Sequence, residues 1–283
     1  MTDPLYAELL QVAKDAAAAA VDLIHTNRPA SFRVDDKSSA TDHVTEMDTA
    51  SERLIRSVIA GARPADRVIG EEDQPAQDHP CSADASGSDE SAAVTWWVDP
   101  IDGTTNYVYD HPGYNVSIAA EIDGRTVAAV VADPTHGRVY SATLGGGAYC
   151  DDRRLHLAPS TGVSDNSILA TALVATGFAY SAERRRLQGR VLAELLPRIR
   201  DIRRMGAAAL DLCSVAAGRV DAYYEVGLAM WDLAAGELIA TEAGARVATI
   251  DGGPARPTSV LAAHPDLFDP LQAVLSQLGA GRV

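Results

Sequence analysis

The sequence predicts a layered α/β fold rather than a barrel, on three observations. Apolar segments divided by the turn signals Asp123-Gly124 and His136-Gly137 read as a meander of strands in the first half. The second half alternates between helical and extended periodicity. The 283 residues are 47% apolar, enough to fill the core of a layered structure and too many for a disordered chain.

The elements follow in order. Asp3 caps the first helix and Pro4 suits its first turn. Leu5, Leu9, Val12, Ala16, Ala20, Leu23 and Ile24 make its apolar stripe, which ends before Pro29. Residues 35–42 are polar and read as a loop or short hairpin. A second helix is expected from near Val44 to Gly61, with Met47, Ala50, Leu54 and Val58 on one face and Pro64 beyond its end. Arg67–Ile69 is a short strand leading into Gly70-Glu71-Glu72-Asp73. Residues 74–93, rich in Ser, Asp, Ala and Pro and without periodicity, read as a mobile surface loop. Val94–Val98 is a buried strand running into Asp99; Tyr114–Glu121, Thr126–Ala132 and Arg138–Thr143 follow as strands. Ile168–Thr176 then reads as a strand, Ala182–Leu196 as a helix, Ile202–Met205 as extended and Ala207–Ala217 as a helix. Ala222–Glu225 is extended, Trp231–Ala243 helical, Arg246–Ile250 a strand and Pro265–Leu278 the closing helix. There is no internal repeat.

Composition removes several functions. The net charge of −15, from 24 basic and 39 acidic residues, argues against broad sequence-independent nucleic-acid binding. It leaves anionic substrates open, because bound cations reverse the sign of an acidic site. Cys81, Cys150 and Cys213 are odd in number and far apart, so they suggest idle thiols rather than a disulfide framework or a zinc cluster. A polar N-terminus and the lack of any run of 18 apolar residues lead to the expectation of a cytoplasmic protein.

The chemistry concentrates at Trp97-Val98-Asp99-Pro100-Ile101-Asp102-Gly103-Thr104-Thr105. Pro100 fixes φ and donates no N–H, so the chain is expected to turn there and aim Asp99 and Asp102 at one spot. Gly103 lets the backbone approach a ligand, and Thr104-Thr105-Asn106 opens a helix whose free amides suit phosphate. Taken alone, the segment reads as well as an Asx-type turn with solvated acids. Glu71 and Glu72 after a strand, Asp48 in the first turn of a helix and Asp232 opening another favour the first reading. Carboxylates gathered at strand ends repel one another without cations, and no His or Cys is spaced to join them. Hard, oxygen-liganded ions fit, Mg²⁺ first.

These residues resemble the inositol monophosphatase family. The matching pieces are Gly70-Glu71-Glu72, Asp99-Pro100-Ile101-Asp102-Gly103-Thr104-Thr105-Asn106 and Trp231-Asp232-x-x-Ala235-Gly236 with Glu242-Ala243-Gly244. Lys37-Ser38-Ser39 with Asp42, then Asp48, Gly206-Ala207-Ala208 and Ala222-Tyr223-Tyr224-Glu225 extend the similarity from about Lys37 to about Ala245. The resemblance implies an αβαβα sandwich of the inositol monophosphatase and fructose-1,6-bisphosphatase type, formed as one domain over residues 1–283. Residues 1–150 would carry most metal ligands, and 151–283 would bring Glu225 and Asp232. It further implies a homodimer, lithium sensitivity, and two or three Mg²⁺ per active site.

By the same resemblance Glu71, Asp99, Asp102, Asp232 and the Ile101 carbonyl are metal ligands. Asp48 and Thr104 orient and deprotonate the attacking water, and Glu72 supports the ligands. The Gly103 and Thr104 amides hold phosphate, with Asp102 and Asp232 beside the substrate. Ala208 and Glu225 contact an inositol ring, and Lys37 belongs to a loop near the metals. The implied reaction is Mg²⁺-dependent hydrolysis of inositol 1-phosphate by an activated water. Rival substrates are fructose 1,6-bisphosphate, 3′-phosphoadenosine phosphates and histidinol phosphate. Two departures from the family pattern flank the site: the long 74–93 segment, and Asn106-Tyr107-Val108-Tyr109 where Phe often follows the Asn.

Three other features carry less. Gly145-Gly146-Gly147 lacks the Lys-Ser/Thr of a phosphate loop and reads as a turn with positive φ. The seven histidines form no metal or triad pattern. The arginines from Arg184 to Arg204 read as a solvated helix face paired with Glu183, Glu194 and Asp201. A dimer edge, or a regulatory contact with RNA or the transcription machinery, is the alternative; the absence of interleaved aromatics weakens single-strand binding.

Overall fold

The computed structural model describes residues 3–29, 34–36, 43–72, 94–157 and 165–283. Helix α1 (Pro4–Thr26) begins as expected, with the Leu5 N–H donating to Asp3 Oδ1 at 2.9 Å and Pro4 in the first turn. Strands β1 (Val34–Asp36) and β2 (His43–Thr45) pair antiparallel and supply hairpin arms. The tip of that hairpin, with Lys37 and Asp42, lies outside the described residues, as does the expected loop 74–93.

Helix α2 (Glu46–Ala62) corrects one expectation. Its buried face is Met47, Asp48, Ser51, Glu52, Ile55 and Ile59, whereas Ala50, Leu54 and Val58 are only partly covered. Three polar side chains on the inner face hid it from a reading based on apolar periodicity. They point toward the ends of the neighbouring strands.

The next elements build a seven-stranded sheet. Strands β3 (Arg67–Gly70) and β4 (Thr95–Asp102) run parallel, and helix α3 (Thr104–Val108) follows β4 directly. Strands β5 (Asn115–Ile122), β6 (Arg125–Asp133), β7 (Arg138–Thr143), β8 (Gly147–Cys150) and β9 (Arg153–Leu155) continue as an antiparallel meander. Strand β4 does not turn at Pro100. It stays extended to Asp102, and the ladder shifts register between the pairs Asp99↔Ser117 and Asp102↔Asn115. Proline is tolerated there because the bulge removes the ladder bond it could not make.

The second half forms helix α4 (Asp165–Ala170), β10 (Leu173–Thr176), α5 (Ala182–Leu195), β11 (Asp201–Arg203), α6 (Ala208–Ala216) and β12 (Ala222–Glu225). Helix α7 (Met230–Glu242), β13 (Arg246–Ala248), β14 (Val260–Ala263) and α8 (Pro265–Gln277) complete it. The expected strand Ile168–Thr176 is therefore a helix and a strand. Its unbroken apolar run fits both periods, and the Ala172 N–H to Leu169 carbonyl bond closes a helical end inside it. The five-stranded sheet has the order β11-β10-β12-β14-β13.

The layers alternate as α, β, α, β, α. Helices α1 and α2 pack on one face of the seven-stranded sheet around Ile24, Ile55 and Trp96. On its other face α6 and α7 pack through Leu210, Cys213, Leu238 and Ile239. The same two helices turn Leu212, Leu233 and Ala240 to the five-stranded sheet, which α5 and α8 cover from outside. Helix α7, buried on both sides, is apolar almost all round, as a central helix must be. No helix among the described residues is long and apolar enough to cross a membrane.

Candidate metal and phosphate site

The ends of β3 and β4 and the starts of α2, α3, α6 and α7 meet at one place. Asp99, Asp102 and Asp232 each bring a carboxylate oxygen there, all within 4.8 Å of one another. Each is held by a backbone amide. The Ile101 N–H donates to Asp99 Oδ1 at 3.0 Å, and the Ala229 N–H to Asp232 Oδ2 at 2.6 Å. Asp102 Oδ2 accepts from Asn115 Nδ2 at 2.8 Å and from the Ala209 N–H at 3.0 Å. The Ser117 hydroxyl donates to the Trp231 carbonyl, which ties the start of α7 to β5. Side-chain direction is thus fixed by local backbone before any ligand arrives.

Electrostatics agree with a cation seat. Burial, opposed by the Asn115 and Ala209 donors and reinforced by Glu71 and Glu225, pushes Asp102 up to about 7. Burial, with the charges of Asp102 and Glu71, raises Asp232 well above the usual carboxylate range. Buried like charges favour neutral forms, and a divalent cation reverses that preference. The donor set is all oxygen, which fits Mg²⁺ and not a thiolate- or imidazole-seeking ion. Glu71 continues the β3–β4 ladder through its N–H to the Val98 carbonyl at 3.2 Å, so it belongs to the same group of acids.

Asp48 is the third residue of α2 and closes a capping box. Its Oδ2 accepts from the Thr45 N–H at 2.8 Å and the Thr45 hydroxyl at 2.6 Å. Its Oδ1 faces Thr104 Oγ1 at 3.0 Å, and Thr104 Oγ1 is also 3.0 Å from the Ile101 carbonyl. Gly103 has φ +87°, and a Cβ there would come within 2.8 Å of the Gly113 carbonyl. No other residue fits this corner. The amides of Gly103 and Thr104 precede the first bond of α3, from the Tyr107 N–H to the Gly103 carbonyl.

On the far side, Glu225 ends β12. Its Oε2 accepts from the Tyr223 hydroxyl at 2.6 Å. The carboxylate presses on Gly177, where a Cβ would sit 1.9 Å from Oε2. Burial raises Glu225, against the pull of Tyr223, Arg204 and Arg184. Ala208 is the first residue of α6, next to Ala207, whose methyl packs on Gly103.

The structure therefore brings together Asp48, Glu71, Asp99, Ile101, Asp102, Gly103, Thr104 and Asp232, and places Glu225 close enough to raise both Asp102 and Asp232. Glu72 follows Glu71, with its amide held by Glu52 at 2.8 Å. Lys37 lies outside the described residues. Sequence reasoning missed Asn115, Glu52 and Asp211. Asp211 is 1% exposed, its Oδ1 has no partner among the described residues, and burial followed by the charges of Glu225 and Asp102 raises it well above the usual range. The i, i+3, i+4 spacing of Asp48, Ser51 and Glu52 was the available signal for Glu52.

The other sequence features resolve simply. Glu242 accepts from the Gly145 and Gly147 amides at 2.7 and 2.8 Å, so that glycine turn already holds an internal carboxylate. Gly145 and Gly147 do have positive φ. Cys150 and Cys213 are buried free thiols; Cys81 is not among the described residues. Arg184 donates to the Val226 and Val283 carbonyls, and Arg203 pairs with Asp201 at 2.8 Å. Arg185, Arg186 and Arg190 are exposed, and among the described residues Glu183 and Glu194 form no ion pair with them.

Comparison with known proteins places this geometry. A model of the inositol monophosphatase family matches residues 5–277. The chain is 47% identical over 284 residues to the inositol-1-monophosphatase SuhB of Mycobacterium tuberculosis, covering 96% of this chain and 94% of that protein. It is 40% identical over 245 residues to a protein named Nus factor SuhB from Pasteurella multocida, covering 84% and 85%. The solved structure of Mycobacterium tuberculosis SuhB superposes with a TM-score of 0.76 and 41% identity over 98% of both chains.

Proposed function

Because the chain belongs to the inositol monophosphatase family, we propose that it hydrolyses inositol 1-phosphate to inositol and phosphate, using Mg²⁺. The chain is a metal-dependent phosphomonoesterase. The observation that carries the reading is the convergence of Asp99, Asp102 and Asp232 within 4.8 Å, at the foot of the Gly103–Thr104 amides.

Asp99, Asp102, Asp232, Glu71 and the Ile101 carbonyl would hold two or three Mg²⁺. When bound, the metal lowers the pKa of water, neutralises phosphate charge and stabilises the departing alkoxide. The Gly103 and Thr104 amides receive phosphate oxygens, an arrangement suited to phosphoryl transfer, where positioning and charge neutralisation dominate. Thr104 Oγ1 accepts a proton of the attacking water as its own proton passes to Asp48 Oδ1, 3.0 Å away, the carboxylate that the α2 cap fixes. The bond from phosphorus to the inositol oxygen breaks, and that oxygen leaves with a proton from solvent. Glu225 accepts hydrogen bonds from ring hydroxyls beside Ala208, and Glu72 supports the Glu71 turn. Residues 1–150 and 151–283 act as one catalytic domain, paired as a homodimer and sensitive to lithium.

Phosphate release from inositol 1-phosphate, fructose 1,6-bisphosphate, a 3′-phosphoadenosine phosphate and histidinol phosphate, with Mg²⁺ and with chelator, tests this. Preference for inositol 1-phosphate that vanishes in chelator is the expected result. Equal release in chelator overturns the metal mechanism, and preference for another ester overturns the substrate.

A second reading rests on the exposed face of Arg185, Arg186 and Arg190. It would serve a regulatory contact with RNA or the transcription machinery, and the name of the Pasteurella relative points the same way.

A further inference from the structure

On the reading that Glu71 is a metal ligand, we propose that Glu52 is the positioning residue that sets its direction, by holding the Glu71-Glu72 turn through the Glu72 amide.

Glu52 is 2% exposed on the inner face of α2. Its Oε1 accepts from Arg56 Nε at 3.0 Å and Nη2 at 2.9 Å, and its Oε2 accepts the Glu72 N–H at 2.8 Å. The same guanidinium donates through Nη1 to the Val68 carbonyl of β3 at 2.8 Å. One ion pair thus grips β3 at Val68 and the turn that leaves β3 at Glu72. Glu71 lies between them. Its own amide is held by Val98, the residue before Asp99, so the peptide groups on both sides of its Cα are fixed. With both fixed, the Cα–Cβ bond of Glu71 has one direction, in register with Asp99.

Gly70 is the independent sign. Its φ is outside the left-handed region, so its backbone conformation does not require glycine. The space does: a Cβ there would lie 2.2 Å from Glu52 Oε2. The glycine of Gly70-Glu71-Glu72 is therefore there to admit the Glu52 carboxylate. An i,i+4 Glu–Arg pair made only for helix stability belongs on an exposed face. Burying it costs desolvation, which the bonds to β3 and to the Glu72 amide offset.

The test is calorimetric titration of Mg²⁺ into the full-length wild type, Glu52→Leu, Glu52→Gln and Gly70→Ala, each checked by circular dichroism and thermal melting. Outer partners of metal ligands typically govern affinity by about 10–100-fold, so Glu52→Leu and Gly70→Ala are expected to weaken Mg²⁺ binding by that factor. Glu52→Gln, which keeps an oxygen for the Glu72 amide, is expected to stay near wild type. The Mg²⁺ concentration for half-maximal turnover should rise in step, with kcat recovered at saturating Mg²⁺. Gly70→Ala keeps both charges and decides the matter if Glu52→Leu fails to fold. Wild-type affinity in folded Gly70→Ala overturns the role of Glu52 alone; a wild type that takes up no Mg²⁺ overturns the metal reading with it.

Discussion

The Thr104 hydroxyl stands 3.0 Å from Asp48 Oδ1 and equally far from the Ile101 carbonyl, although it has a single proton to give. Donated to Asp48, that proton leaves the carbonyl lone pair for a cation and turns the threonine lone pairs toward a water. Asp48 cannot swing away, because Thr45 holds its other oxygen twice. The carboxylate that caps the helix is also the one proposed to act with Thr104.

Thr104→Val should therefore lower kcat by roughly 10²–10⁴-fold, with Mg²⁺ affinity close to wild type and Thr104→Ser largely active. Steady-state kinetics beside Mg²⁺ titration checks it. Equal losses in the serine and valine variants would contradict a role for the hydroxyl.

Legibility in the sequence followed the kind of residue. Asp99, Asp102 and Asp232 were readable because acids at the end of an apolar strand and the start of a helix are conspicuous, and their family motifs are long. Ser51 and Glu52 were not, because buried polar residues on α2 break the apolar period that marks an inner face. The four-residue strand β14 sits between β12 and β13, buried throughout, and carries no alternation to betray it. The closeness of Glu225 to Gly177 joins β12 to the segment after β10, which no local pattern encodes.

Glu225 should govern substrate preference. Glu225→Ala removes a charged acceptor, and hydrogen bonds to charged groups contribute about 1.5–3 kcal/mol. A loss of roughly 10- to 100-fold in kcat/KM is expected for inositol 1-phosphate, with little change for a small ester that lacks a ring. Parallel kinetics on the two substrates would read the difference; equal losses on both would remove Glu225 from ring recognition.

The exposed arginines should be dispensable for turnover. Arg185→Glu with Arg186→Glu leaves the anchored Arg184 and the paired Arg203 in place. Phosphate release is expected to match wild type, while any regulatory partner should be lost in a pull-down. Loss of turnover in a folded variant would assign this face to the active enzyme.

Glu237 of α7 makes a stability prediction. Burial alone pushes its carboxyl up to about 7. The folded state then binds a proton that the unfolded state has lost between the ordinary glutamate value and about 7, so stability falls as pH rises through that window. Glu237→Gln removes the cost. In chelator it should match wild type near pH 4.5 and be the more stable at pH 8, by up to about 3 kcal/mol. Urea unfolding at both pH values checks the sign.

Asp232→Asn sets stability against function most directly. In metal-free protein burial raises both Asp102 and Asp232, and the charges of Asp102 and Glu71 raise Asp232 further, so folding loses stability as pH climbs toward about 7. Asparagine keeps an oxygen for the Ala229 amide and removes one charge from the group. In chelator at pH 8 the variant should therefore melt above wild type, by about 2 °C if roughly 1 kcal/mol of repulsion is relieved. Added Mg²⁺ should reverse the order, since a ligand at 100 times its Kd stabilises the state that binds it by about 2.7 kcal/mol and the variant has lost a ligand. Turnover should fall by orders of magnitude at every Mg²⁺ concentration. A variant that melts below wild type in chelator would mean that these acids are not in conflict, and that some contact other than a cation already compensates them.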